Sequence, residues 1–376
     1  MTLNILPIVK KEFRQIRRDK RALGILIFLP AFMLLLVGYA LNFDVKHLKL
    51  AVYDEDRSSR SRELVASMTQ SDYFGLALAL DSKAQIDRVL ENGDAHLALV
   101  IPSDFSRKLD SGNEATVQVI IDGSNSNSAT TAGGYMAQAI LAYSTRVQAE
   151  WLEQRGRAFT IPLDIRPRLL YNPELKTAKY LVPGLFGLIL MIATVISTSL
   201  SIVREKEMGT MEQLKTSPLR AEEIIIGKTI PYLIIALFSS TLVLILGWLL
   251  FDVSVRGDLL LLYSAILLFL IAGLAQGMLI SSVAETQQVA YLMSVFSSLL
   301  PAFLLSGFIF PIQSMPVALQ VFSNLMATKF FLSILRSIIL KGVGFEAVWE
   351  QFVYLIIFAV VVLGISSARL KKELSR

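Results

Sequence analysis

The chain has 376 residues, of which 54% are hydrophobic and 18% charged, with a formal net charge of +5 and no cysteine. That apolar share exceeds the roughly 45–50% of soluble domains, and it lies in long runs rather than alternating ones, which excludes a soluble fold and a β-barrel. Without cysteine there is no disulfide, thiolate metal site or cysteine nucleophile, and the excess positive charge flanks the apolar runs, which marks topology rather than a nucleic-acid surface.

Residues 1–21 carry Lys10, Lys11, Arg14, Arg17, Arg18, Lys20 and Arg21, while Ile5, Ile8, Val9, Phe13 and Ile16 recur at helical spacing. This pattern predicts an amphipathic helix on the cytoplasmic membrane surface; the plainer alternative is a positive flank that only orients the first span. Both readings put the N-terminus inside. Residues 22–41 form the first predicted span. Its uncharged run, Leu23 to Leu41, is longer than the apolar region of a cleaved signal peptide, about 7–15 residues, and reads as a retained anchor.

Residues 42–177 change character. Strands are predicted at Leu48 to Tyr53, Phe74 to Leu80, Leu97 to Ile101 and Thr116 to Ile121, with helices at Ser59 to Met68, Lys83 to Leu90 and Asp104 to Leu109 between them. Strands alternating with helices predict an α/β domain. A long helix follows from Ala129 to about Arg155, and Ile165 to Tyr171 is a candidate last strand.

Residues 178–376 hold five more predicted spans: Tyr180 to Val203, Ile224 to Leu250, Leu259 to Val283, Gln288 to Phe310 and Phe352 to Ala368. The expected architecture is a polytopic α-helical membrane protein with six transmembrane helices and an extracytoplasmic α/β domain inserted between the first and second. An even count returns the C-terminus to the inside, in keeping with Arg369, Lys371, Lys372 and Arg376. Between the last two spans, residues 311–351 read as an outer re-entrant or surface hairpin, because Lys329 and Arg336 interrupt its apolar stretch.

A charged loop, residues 204–223, separates the second and third spans. It reads Arg-Glu-Lys-Glu-x-Gly-Thr-x-Glu-Gln-Leu-x-x-Ser-Pro-Leu from Arg204 to Leu219, followed by Ile-Ile-x-Gly-Lys; Thr210 to Lys215 is a candidate short helix between Gly209 and Ser217-Pro218. This loop resembles the cytoplasmic loop of type 2 ABC (ABC-2) exporter permeases. The likeness extends to Ile101 to Leu109 and Asp122 to Ala129, and the large outer domain is similar to that of the multidrug-efflux branch. Met326-Ala327 departs from the Asn-Pro often found in that family's hairpin.

The resemblance implies that Arg204, Glu205, Lys206, Gly209, Thr210, Glu212, Gln213, Leu214, Ser217 and Pro218 couple to an ATPase subunit. It further implies ATP and Mg on that subunit and no cofactor in this chain, a second permease copy or paralogue, a possible periplasmic adaptor, and a bacterial inner-membrane location. Cargo would be amphipathic small molecules, drug-like or lipid-like.

Chemistry within the chain itself is sparse. Gly227-Lys228-Thr229 resembles the end of a phosphate-binding loop, but Glu222 stands where the first glycine belongs, so Lys228 reads as a lysine snorkelling at a helix end. Two histidines, His47 and His96, assemble no metal cluster or triad, and Asp54, Glu55 and Asp56 read as a solvated loop, so no catalytic or metal residue is assigned. The spans contain no ionisable residue at depth, which argues against the rival reading of an ion-coupled secondary exporter. A membrane-anchored sensor, the other rival, needs neither six spans nor the loop. The small and hydroxyl residues of the spans, including the Gly273/Gly277 pair, serve close helix packing or a weakly polar substrate path, for which Gln276, Ser197, Ser240 and Ser298 are candidates. Pro183-Gly184 and Pro301 are candidate hinges.

The topology is testable by accessibility. A cysteine replacing Ser126 is expected to react with an impermeant thiol reagent in intact cells, and one replacing Thr216 is expected to stay unlabelled, with no background from the cysteine-free chain.

Overall fold

A computed structural model describes residues 5–40, 48–70, 73–124, 126–154, 170–172, 176–210 and 221–374. Two compact units result, one of residues 1–42 and 169–376, the other of residues 43–168.

The smaller unit is an α/β fold. Its elements are β1 (Leu48–Asp54), α3 (Ser59–Thr69), β2 (Phe74–Leu80), α4 (Gln85–Glu91), β3 (Leu97–Ile101), α5 (Phe105–Asp110), β4 (Gln118–Ile121) and α6 (Ser126–Gln154). The sheet order is β2-β1-β3-β4, parallel except for antiparallel β4. Every residue of β3 is buried, as a continuous apolar run in a sheet covered on both faces requires. One face packs Leu50, Leu97, Leu99 and Ile101 against Leu64, Phe105 and Met136, and the other packs Ala51, Ala98 and Val100 against Ile86. The hydroxyl of Ser58 accepts the Ser61 N–H at 3.0 Å and starts α3 as an N-cap. The acidic turn is not merely solvated. Asp54 accepts the N–H groups of Asp56 and Arg57 and the Ser61 hydroxyl, and Asp56 accepts the Ser106 N–H, so these carboxylates fasten β1 to α3 and α5. Of the candidate strand at 165–171, residues 165–169 lie outside the described residues, and Leu170 and Tyr171 are not in a strand.

The larger unit is a helix bundle. It comprises α1 (Ile5–Arg18), α2 (Lys20–Ala40), α7 (Thr177–Glu207), α8 (Ala221–Phe251), α9 (Leu259–Ser281), α10 (Gln287–Leu305), α11 (Val317–Ser323), α12 (Ala327–Arg336) and α13 (Trp349–Leu374). Among the described residues five helices, α7, α8, α9, α10 and α13, are long and apolar enough to cross a membrane, and α2 holds a shorter apolar stretch. The pair formed by α11 and Ala327–Lys341 bends by 84°, which suits a re-entrant hairpin. The ends of α7 and α13 and the start of α8 meet where Ile202, Ile225 and Leu370 pack together. At the opposite end, Arg336 donates to the carbonyls of Gly307 at 2.9 Å and Phe308 at 3.1 Å and lies 3.9 Å over the Tyr180 ring, clamping the hairpin to α10 and α7.

The bundle core depends on close backbone approach. A Cβ on Gly277 would lie 2.7 Å from the Val195 carbonyl oxygen and 2.8 Å from Thr198 Cβ, and one on Gly273 would lie 3.2 Å from Thr194, so the Gly273/Gly277 pair seats α9 on α7. Gly184, within the candidate Pro183-Gly184 hinge, is packed against the Phe308 ring, and α7 runs through it without interruption.

Gly277→Leu is expected to destabilise the bundle by at least about 1–3 kcal/mol, the usual cost of overpacking, seen as a lower melting midpoint of the purified protein. Gly364→Leu, at a site with open space around it, is expected to leave the midpoint unchanged.

Candidate functional site: a charged hub at one end of the bundle

The last turn of α7 reads Arg204-Glu205-Lys206-Glu207, and a helix advances about 100° per residue, so four consecutive side chains point around the whole circumference. Each one grips a different neighbour. Arg204 pairs with Asp19, between α1 and α2, at 3.6 Å. Lys206 donates to the Ser281 carbonyl at the end of α9 at 2.5 Å. Glu207 accepts the backbone N–H of Gln287 at the start of α10 at 2.8 Å and also the Gln287 side-chain amide.

Glu205 is the most buried of the four. Its Oε1 accepts from Lys11 of α1 at 2.9 Å and from Lys228 of α8 at 3.1 Å, while its Oε2 accepts from the Thr210 hydroxyl. Lys228 also donates to Glu12 of α1 at 2.9 Å. Glu12 is 1% exposed, and Glu205 and Lys228 are 6% exposed. The assignment of Lys228 as a snorkelling lysine is therefore corrected: its ammonium is enclosed by two carboxylates, because a charge this buried is retained only with partners.

The helix α1 reaches this position through its stripe Ile8, Glu12 and Ile16, all buried at four-residue intervals. Ile8 sits on Gly227, where a Cβ would come within 2.7 Å of the Ile8 Cβ. The signal for Glu12 was present in the sequence: it is the one acidic residue on an otherwise apolar stripe. What the spacing did not show was its partner. Gly209 ends α7 at φ +70°, the left-handed conformation that favours glycine after a helix. Thr210 is described; Glu212, Gln213, Leu214, Ser217, Pro218 and most of the candidate docking helix lie outside the described residues.

The four candidate path residues lie one each on α7, α8, α9 and α10. Ser197, Ser240 and Ser298 each bond a carbonyl three or four residues back in α7, α8 and α10, which is how hydroxyls are satisfied inside helices. Gln276 of α9 donates to the Ser297 carbonyl of α10 at 3.2 Å. Hydroxyls also tie helices together: Ser199 to Ser294 at 2.7 Å, Thr241 to Tyr263 at 2.9 Å, and Ser366 to the Ala275 carbonyl at 2.8 Å. Ser197 borders a small gap, shared with Leu26, Tyr232 and Ser239.

In the α/β unit a cavity of about 460 Å³ is walled by Leu64, Phe105, Val117, Tyr143, Val147 and Trp151. Burial, with Glu63 adding, pushes the Tyr143 hydroxyl up to about 12, and it donates to the Arg60 carbonyl at 3.1 Å. His47 lies outside the described residues, and His96 accepts the Lys49 N–H through Nδ1 at 3.0 Å, a structural role. Among the described residues no group of three or more His, Asp or Glu is arranged to hold a metal ion.

Residues 20–368 match the family model described as ABC-2 family transporter protein. The chain is 36% identical over 344 residues to "Probable multidrug ABC transporter permease YbhR" of Escherichia coli (strain K12), covering 92% of each chain. It is 30% identical over 365 residues to "Probable multidrug ABC transporter permease YbhS" of the same strain, covering 97% of this chain and 96% of the relative. It is 28% identical over 375 residues to "Inner membrane transport permease YhhJ", covering 99% and 98%. The family match runs through α7 to α10, four of the five helices of the hub, as well as the α/β unit, and on that extent the chain belongs to the ABC-2 family of ABC transporter permeases.

Proposed function

We propose that this permease is the membrane half of an ATP-driven exporter that moves amphipathic small molecules, drug-like or lipid-like, out of the cytoplasm or inner leaflet. The multidrug names of the relatives support the cargo class. The ATPase is a separate subunit carrying ATP and Mg, and the permease works paired with a second copy or a paralogue in the bacterial inner membrane.

The observation that carries this reading is the hub. A force applied to the loop after Gly209 arrives first at the last turn of α7. Arg204 to Glu207 connect that turn to α1, α8, α9 and α10, so displacement is shared among five helices. The coupling residues thus include Lys11, Glu12 and Lys228 alongside Arg204, Glu205, Lys206, Gly209 and Thr210, while Glu212 and Leu214 make the contact with the ATPase. The six-span topology, with residues 42–177 outside and both termini inside, agrees with the chain ends gathering at the hub end of the bundle. Cargo enters beside Ser197, at the gap between α2, α7 and α8, and α9 and α10, joined by Gln276, form the far wall of the path.

Two variants separate coupling from folding. Lys228→Met leaves the nearly inaccessible Glu12 and Glu205 with only the half-exposed Lys11 beside them and is expected to cost about 3 kcal/mol, read as a loss of thermal stability. The triple variant Glu12→Gln/Glu205→Gln/Lys228→Met removes all three charges and is expected to regain most of that stability. It should nevertheless lose cargo-stimulated ATP hydrolysis; full activity in the triple variant overturns the coupling role of the charges.

Leu214→Asp is expected to leave the permease folded while weakening its association with the ATPase by about 2 kcal/mol or more, roughly thirtyfold. Copurification titrated against ATPase concentration measures this. Unchanged recruitment with normal export removes the loop as the coupling element.

A further inference from the structure

The edge strand β2 reads Phe-Gly-Leu-Ala-Leu-Ala-Leu and carries no charge and no proline. Its ends, Phe74 and Leu80, are buried, but the four residues between Leu76 and Ala79 are all exposed, with Leu76 53% and Leu78 39% accessible. A register shift explains how both faces are open at once. Leu50 pairs with Leu76 and Ala51 with Leu78, so Ala77 is bulged out and the two leucines fall on opposite faces of the sheet. Among the described residues the backbone of 74–80 bonds only to β1, which leaves its outer N–H and C=O groups unused. The opposite edge is different: β4 is partly covered by α6, where a Cβ on Gly133 would touch Ile121 at 3.4 Å. Natural edge strands are normally blunted by charge, proline, a bulge or a covering element; the Ala77 bulge is the one such device in β2, whose exposed middle has no charge, no proline and, among the described residues, no covering element.

We infer that β2 is an interface strand that pairs antiparallel with β2 of a second copy of this chain, joining two four-stranded sheets into one of eight. The proposal rests on the paired-permease reading only for bringing two copies together. In such a pair the two strands lie on the same side of one membrane, at an effective concentration on the order of millimolar. Self-pairing of this strand places no like charges opposite each other. It also satisfies the free edge groups of both copies at once, as an isologous two-fold contact does. A strand of an unrelated partner would meet an edge that offers no charged group to select it.

The geometry makes a sharp test possible. A two-fold axis normal to a sheet relates antiparallel strands so that one residue faces its own copy, with Cα atoms about 4.5–5.5 Å apart, inside the disulfide range of about 4.4–6.8 Å. Single cysteines are placed at Gly75, Leu76, Ala77, Leu78 and Ala79 in the cysteine-free chain, with exposed Glu91→Cys on α4 as the collision control. Membranes holding two differently tagged copies are oxidised with copper phenanthroline and run without reductant, and copurification of the tags is measured in parallel. The expected result is strong dimer formation at one position of the series, abolished when Leu76→Lys or Leu78→Lys is added at a neighbouring site. Tags that copurify with no position rising above Glu91→Cys overturn the β2 contact and leave the paired permease intact. Tags that fail to copurify overturn it as well, and transport with ATPase recruitment then judges the exporter reading separately.

Discussion

Burial of three charges at one point sets the terms for the rest of the bundle. Glu12, Glu205 and Lys228 are nearly inaccessible, and removing such groups from water costs several kcal/mol each unless they neutralise one another. Lys228 and Glu12 are 216 residues apart in sequence, yet they must meet at hydrogen-bonding distance. This requirement brings α1 against α8, puts a glycine at position 227 to admit Ile8, and holds the last turn of α7 between them. Since that same turn also holds α9 and α10 through Lys206 and Glu207, one electrostatic knot ties together α1, α7, α8, α9 and α10.

The opposite end of the bundle is held differently. There, among the described residues, Arg336 pairs with no carboxylate; its guanidinium serves two backbone carbonyls just past the end of α10 and the face of Tyr180. Carbonyls at a helix terminus lack intrahelical donors, so a cation is a suitable partner for them. Between the two ends, packing rests on small residues and hydroxyls. Lipid supplies no hydrophobic drive for helix association, so Gly273 and Gly277 let backbones approach, and Ser199, Ser294 and Ser366 add bonds across the seams. The result is a bundle with charged or polar fastenings at both ends and a closely packed middle. A closely packed middle of this kind leaves little internal slack between the two ends.

Much of the local structure was legible because it depends on local patterns. The continuous apolar run Leu97–Ile101 and the helical pattern from Ser59 to Met68 read directly as a strand and a helix. The long uncharged runs read as spans because length and composition are what a bilayer tests. The hub was legible only in part. Arg204 to Thr210 stood out as a charged island, whereas Glu12 on its apolar stripe was passed over, and neither shows its partner until the chain is folded. Lys228 was misread for the same reason: a lysine near a helix end looks the same from sequence whether it reaches for water or for a buried carboxylate.

The sequence alone determined that this is a helical membrane protein with an α/β unit between its first apolar helix and the rest, and that the loop after Glu207 belongs to an ABC-2 permease. Those properties follow from hydrophobic period, run length and short motifs, all of which are local. Only the tertiary structure decided which charges pair, that Gly273 and Gly277 face α7, and that β2 lies at the sheet edge with its middle uncovered. Each of these depends on contacts between segments far apart in the chain, and periodicity within a segment carries no information about which distant segment will cover it.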